Sequence, residues 1–116
     1  MVATWNVLDD INTLDRIIED SHHRPVVLFK HSISCGISAR AQYMLEAQWN
    51  LNEEDLDFYI LDLINNRNIS NAIEERLQVK HQSPQLIVVK NGKAVFNVSH
   101  HRVDVSAIHS ALDSLN

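Results

Sequence analysis

Apolar positions along this chain follow two rhythms. Ile11, Leu14, Ile17 and Ile18 recur at helical spacing and predict an amphipathic helix that ends near Ser21-His22-His23-Arg24, ahead of Pro25. Pro25-Val26-Val27-Leu28-Phe29 is short, continuously apolar and β-branched, the pattern of a buried strand. Helical spacing resumes at Ile37, Ala41, Met44 and Leu45 and predicts a helix to about Leu51. An acidic loop, Asn52-Glu53-Glu54-Asp55, separates it from a second buried strand, Phe58-Tyr59-Ile60-Leu61. After the turn-rich Asn65-Asn66-Arg67-Asn68, residues Ile69, Ala72, Ile73 and Leu77 predict a third helix, with Asn68 or Ser70 at its N-cap.

The last third of the chain changes pattern. Gln85-Leu86-Ile87-Val88-Val89-Lys90 and Lys93-Ala94-Val95-Phe96-Asn97-Val98 are strands separated by Asn91-Gly92, the dipeptide that most strongly signals a tight hairpin. Val105, Ile108, Leu112 and Leu115 close the chain with a helix capped by Asp104. The order α-β-α-β-α-β-β-α implies parallel pairing of the first strands through crossover helices and antiparallel pairing at the end. The expected class is α/β, a mixed four-to-five-stranded sheet flanked by helices. Ligands in such sheets bind at the carboxyl ends of strands.

Composition narrows the function. The 116 residues suit a single domain spanning 1–116, and two Gly and two Pro leave no flexible linker. A net charge of −5 argues against tracking a nucleic-acid backbone, which needs a basic face. No apolar run is long enough for a bilayer span, so no membrane partner is expected. Met1-Val2-Ala3-Thr4-Trp5-Asn6 lacks the basic start and apolar centre of a secretion signal. One cysteine cannot form an internal disulfide, so a cytoplasmic, reducing setting is expected.

That cysteine, Cys35, lies where the first predicted strand gives way to the second helix. Unpaired backbone N–H groups and the helix dipole favour an anion there. The thiolate is the reactive form, and such a position lowers its pKa. From an ordinary pKa of about 8.5, roughly a tenth of the thiol is ionised at pH 7.5. A lone cysteine more often serves as a small buried hydrophobe. Here Ser34, Gly36 and Ser38 leave the sulfur approachable, and Ser38 stands where a dithiol motif carries its second sulfur. The backbone of Gly36 and Ile37 and the Ser38 hydroxyl are the expected thiolate-stabilising groups.

Other residues carry weaker signals. His22-His23 and His100-His101 are adjacent pairs with no cysteine at zinc-ligand spacing, and read as surface residues; no metal site is expected. His31 and His81 flank the candidate turns and offer a cationic or hydrogen-bonding role near the thiolate. Arg40 suits either steering of anionic substrates or plain helix exposure. Ser83-Pro84 opens a strand, where proline costs no ladder donor, and the residues alone do not require a cis bond.

Taken together, the chain resembles the YtxJ-like monothiol bacilliredoxins, a branch of the thioredoxin fold, over nearly its whole length. Leu28-Phe29-Lys30-His31-Ser32 precedes the cysteine as in that family, and Ser34-Cys35-Gly36-Ile37-Ser38 is similar to its Thr-Cys-Pro-Ile-Ser. Val79-Lys80-His81-Gln82-Ser83-Pro84-Gln85 is similar to its Val-Lys-His-Glu-Ser-Pro-Gln, and Asn91-Gly92-Lys93, Val95 and Ser99-His100 match the final hairpin. The resemblance implies a thioredoxin-like fold, a cis Ser83-Pro84 turn beside Cys35, and substrate contacts from Ser34, His81, Ser83 and Pro84. It implies a monothiol oxidoreductase of redox homeostasis, working as a monomer without a tightly bound cofactor. Its co-substrate would be bacillithiol or another low-molecular-weight thiol, removed by Cys35 from S-thiolated cytosolic proteins. Gly36 departs from the family's proline and makes Cys-Gly-Ile-Ser, close to the Cys-Gly-Phe-Ser of monothiol glutaredoxins. Iron–sulfur cluster binding through Cys35 is therefore an alternative, although the glycine pair those glutaredoxins carry after the last hairpin is absent. A non-enzymatic interaction module with an inert Cys35 is the third.

Overall fold

The computed structural model describes residues 1–115. Its elements run β1 (Asn6–Val7), α1 (Ile11–Asp20), β2 (Val26–His31), α2 (Gly36–Gln48), β3 (Asp57–Asp62), α3 (Arg67–Leu77), β4 (Gln85–Lys90), β5 (Lys93–Ser99), a 3-10 turn (His100–Arg102) and α4 (Val105–Asp113). The sheet has the order β1-β3-β2-β4-β5. β3 pairs in parallel with β1 and β2, whereas β2–β4 and β4–β5 are antiparallel, as the crossovers and the Asn91-Gly92 hairpin require. Both hairpin residues hold positive φ, Asn91 at 54° and Gly92 at 76°.

β2 is central, so its side chains are buried on both faces. Val27 and Phe29 join Ala41 and Leu45 of α2 and Val105, Ile108 and Ala111 of α4 in one core. Val26 and Leu28 join Leu14 and Ile17 of α1 and Ile69, Ile73 and Leu77 of α3 in the other. The alternation of strand side chains thus divides the molecule into two layers of helix around one sheet.

The structure departs from the expected elements at several ends. β1 is an addition, held by Trp5, whose ring is buried and stacks on Phe58 with centroids 4.5 Å apart. Two residues are too few to show a strand pattern. β2 continues through Lys30 and His31, both buried despite their polarity. α2 stops at Gln48 rather than Leu51, because Trp49 turns extended and sets its ring against Trp5 and Phe58. α3 begins at Arg67 with Asn66 at the cap position, so Asn68 and Ser70 are not its N-cap. Asn66 accepts the Ile69 and Ser70 N–H groups through its backbone carbonyl, and Ser70 turns inward. α4 ends at Asp113, with Leu115 still packed on the core, and Asp104 caps it by accepting the Ala107 N–H at 2.8 Å.

Candidate functional site

β2 delivers the chain to the thiol. Past His31, the Ser32 carbonyl accepts the Cys35 N–H at 3.1 Å, and the Ser32 and Ser34 hydroxyls meet at 3.2 Å. This tight bend places Cys35 at the cap position of α2, in extended conformation with φ −105° and ψ 123°. Its carbonyl starts the helix by accepting the Ala39 N–H at 3.0 Å. The sulfur therefore faces the unpaired N–H groups of the first turn.

The thiol is half-buried, and its pKa lies below the ordinary cysteine value. The largest cause is the Ser38 backbone N–H, followed by that of Ile37; slight burial opposes them, and the Ser38 hydroxyl adds the smallest effect. Ser38 is fully buried, and its Oγ lies outside hydrogen-bond geometry to the sulfur and to every other described group. The Cys35 side chain makes no formed capping hydrogen bond either, so the first-turn N–H groups act on the thiolate as nearby aligned dipoles. Gly36 faces open space, and a side chain beginning there would meet no atom within 4 Å of its Cβ. Ile33 and Ile37, 68% and 40% exposed, form an apolar rim on either side of the cysteine.

Ser83-Pro84 is cis. Lys30 pairs with Gln85 across β2 and β4, so the bend to Cys35 and the cis-proline turn leave the sheet at the same end. Pro84 is buried, and its carbonyl accepts the His100 N–H at 2.9 Å, which fastens the 3-10 turn to it. The Ser83 hydroxyl is buried with no hydrogen-bond partner among the described residues. Ser34 is exposed beside the cysteine.

His81 is turned toward a neighbour that the apolar pattern conceals. Lys30 is wholly buried, with its Nζ 2.7 Å from His81 Nδ1 and 3.2 Å from Gln85 Oε1. Burial lowers the Lys30 pKa to about 8, against a smaller opposing pull from Glu74. At neutral pH the ammonium donates to both partners, which makes His81 Nδ1 an acceptor and puts the imidazole proton on Nε2. Burial, then the positive charges of Lys30 and Arg67, push the His81 pKa below the ordinary histidine value. His31, buried and stacked on Phe29 at 5.5 Å, is also lowered, chiefly by burial, with Asp62 opposing. Both histidines are therefore neutral near pH 7.5, and the expected cationic role is closed to them there. The signal for Lys30 is its place at the end of an apolar strand, opposite a glutamine that opens another.

Among the described residues, no three His, Cys, Asp or Glu side chains converge as metal ligands. No helix is long and apolar enough to cross a membrane.

The model of the monothiol bacilliredoxin BrxC family matches residues 6–108, a span that includes the cysteine bend, the cis-proline turn and the final hairpin. The chain belongs to the monothiol bacilliredoxin family. Among solved structures, a protein with a thioredoxin fold is 33% identical with a TM-score of 0.79, the match covering 93% of each chain. Fasciola hepatica thioredoxin is 18% identical with a TM-score of 0.72, covering 96% of this chain and 99% of its own. The Schistosoma mansoni thioredoxin pre-protein is 16% identical with a TM-score of 0.74, covering 98% of this chain and 100% of its own. These last two show the fold alone. The thioredoxin-like fold is as expected, and this bacilliredoxin is a thiol–disulfide oxidoreductase. Its family pairs that chemistry with a low-molecular-weight thiol.

Proposed function

We propose that this bacilliredoxin removes a low-molecular-weight thiol, bacillithiol in the first instance, from mixed disulfides on cytosolic proteins. The observation that carries this reading is the placement of its one cysteine against the first N–H groups of α2. The Cys35 thiolate attacks the small-thiol sulfur of the mixed disulfide, a new S–S bond forms, and the target cysteine leaves as thiolate. Electrons balance because the target is reduced as Cys35 is oxidised. With no second cysteine to resolve the adduct, a further small-thiol thiolate attacks the small-thiol sulfur of the Cys35 mixed disulfide, and Cys35 leaves as thiolate. The two small thiols depart as a symmetrical disulfide.

Each supporting group has a part. The N–H groups of Ser38 and Ile37 hold the thiolate before attack and stabilise it again as leaving group in the second step. Ser83 and Pro84 form the backbone edge against which the mixed disulfide lies, and Ser34 and the Ile33–Ile37 rim border the approach. His81 acts through the turn that Lys30 and Gln85 hold in place. The reaction needs one approachable thiol and no second copy of the chain, so a monomer without bound cofactor suffices. A cytosolic setting keeps that thiol reduced.

Replacing the nucleophile tests the reading. Cys35→Ser is expected to lose turnover of an S-bacillithiolated protein entirely while keeping the fold by circular dichroism. Full turnover by that variant contradicts the assignment.

A further inference from the structure

From Ile37 onward, α2 and the segment around the 3-10 turn border a half-open cavity of about 160 Å³ that the chemistry above leaves unused. Its walls include Ile37, Arg40 and Met44 on one side and His100, His101 and Asp104 on the other. We propose that this cavity binds a carboxylate of the low-molecular-weight thiol, with Arg40 as its principal ligand, and so selects acidic small thiols over neutral ones. The inference rests on the dethiolation reading and names the substrate class for it.

Position is the first argument. Ile37, two residues past Cys35, borders both the thiol and the cavity, and Arg40 follows one helical turn later on the same face of α2. A small thiol whose sulfur is at Cys35 reaches Arg40 by lying across Ile37. The opposite wall belongs to the same site, since the His100 N–H is bonded to the carbonyl of cis-Pro84 at 2.9 Å. A molecule lying along the cis-proline turn is thereby led to the cavity.

Chemistry is the second. The Arg40 guanidinium is a fixed fork of donors matched to a carboxylate, and the side chain is exposed, with no acidic partner among the salt bridges of the described residues. His100 and His101 are exposed, and an imidazole offers at least one N–H donor in either charge state. His100 is held at φ 57°, a left-handed conformation costly to a residue with a side chain. Asp104 is the acidic residue in the lining, and its Oδ1 is engaged by the Ala107 N–H at the start of α4. At about 160 Å³ the cavity has room for a carboxylate and the carbons that carry it.

The test holds the protein target constant and varies the small thiol. One single-cysteine protein is loaded with glutathione, which bears carboxylates, or with 2-mercaptoethanol, which bears none. Arg40→Ala is expected to lower kcat/KM on the glutathione-loaded substrate about tenfold, the value of one charge-assisted contact, while leaving the mercaptoethanol-loaded one within about twofold. Arg40→Lys is expected to recover part of the loss, and Arg40→Glu to deepen it. Equal losses on both substrates would mean that Arg40 contacts the target protein, and overturn the proposal. No loss on either also overturns it. If the wild type turns over the S-bacillithiolated protein but neither of these, a carboxylate is not what it selects and the proposal is overturned; if it turns over none of the three, the dethiolation reading fails first.

Discussion

At the scale of single residues, Cys35 and Lys30 show opposite uses of environment. Cys35 meets fixed donors, and its anion is favoured; Lys30 meets a dry interior, and its cation is disfavoured. With both histidines neutral, Ser38→Ala is expected to raise the Cys35 pKa more than His31→Ala or His81→Ala. Thiolate absorbance of the three variants gives the order, and a larger rise in a histidine variant would reveal a thiolate–imidazolium pair instead. Lys30 makes stability depend on pH in a defined direction. Below about pH 8 both folded and unfolded chains carry its charge, and the fold bears the full cost of burying it. From about 8 towards the unfolded value of 10.5 the folded protein loses the proton first, and that cost is relieved. Relative to Lys30→Met, the wild type should gain up to about 3 kcal/mol across that window in urea unfolding. A difference independent of pH contradicts the buried-cation account.

At the scale of elements, the start of α2 has room for proline. Gly36 is the first helical position, its Cβ direction is open, and Cys35 before it is already extended, the conformation that precedes proline. Gly36→Pro should therefore stabilise the fold by about 0.4–1 kcal/mol through the unfolded chain and leave Cys35 reactivity intact. Thermal unfolding and thiol-probe kinetics check both parts; a destabilised or unreactive variant would show that this glycine is needed for closer approach. Elements whose cause is local were legible in the sequence: the Asn91-Gly92 hairpin, the Asp104 cap, and the thiol at a strand-to-helix bend. Ends set by distant partners were not. Apolar Trp49 and Leu51 prolong a helical pattern, yet packing of Trp49 on Trp5 ends the helix. Lys30 and His31 look like a strand's polar end, and only the fold reveals the partners that bury them.

At the scale of the whole molecule, the sheet order brings β2 beside β4, and every part of the site hangs from that pairing. The cysteine bend follows one strand, the cis-proline turn precedes the other, and the 3-10 turn is bonded to that proline. The resemblance supplied the cis bond and the family; the cavity behind Arg40 needed two segments far apart in sequence to be brought together. Dethiolation by the proposed route requires Cys35 itself to receive the small thiol. That transfer is read by intact-protein mass spectrometry after mixing reduced protein with an equimolar S-bacillithiolated target, the recycling thiol withheld. The target is expected to lose the mass of bacillithiol and Cys35 to gain it. An unmodified Cys35 beside a target that has been released, or a target that keeps its thiol, would contradict it.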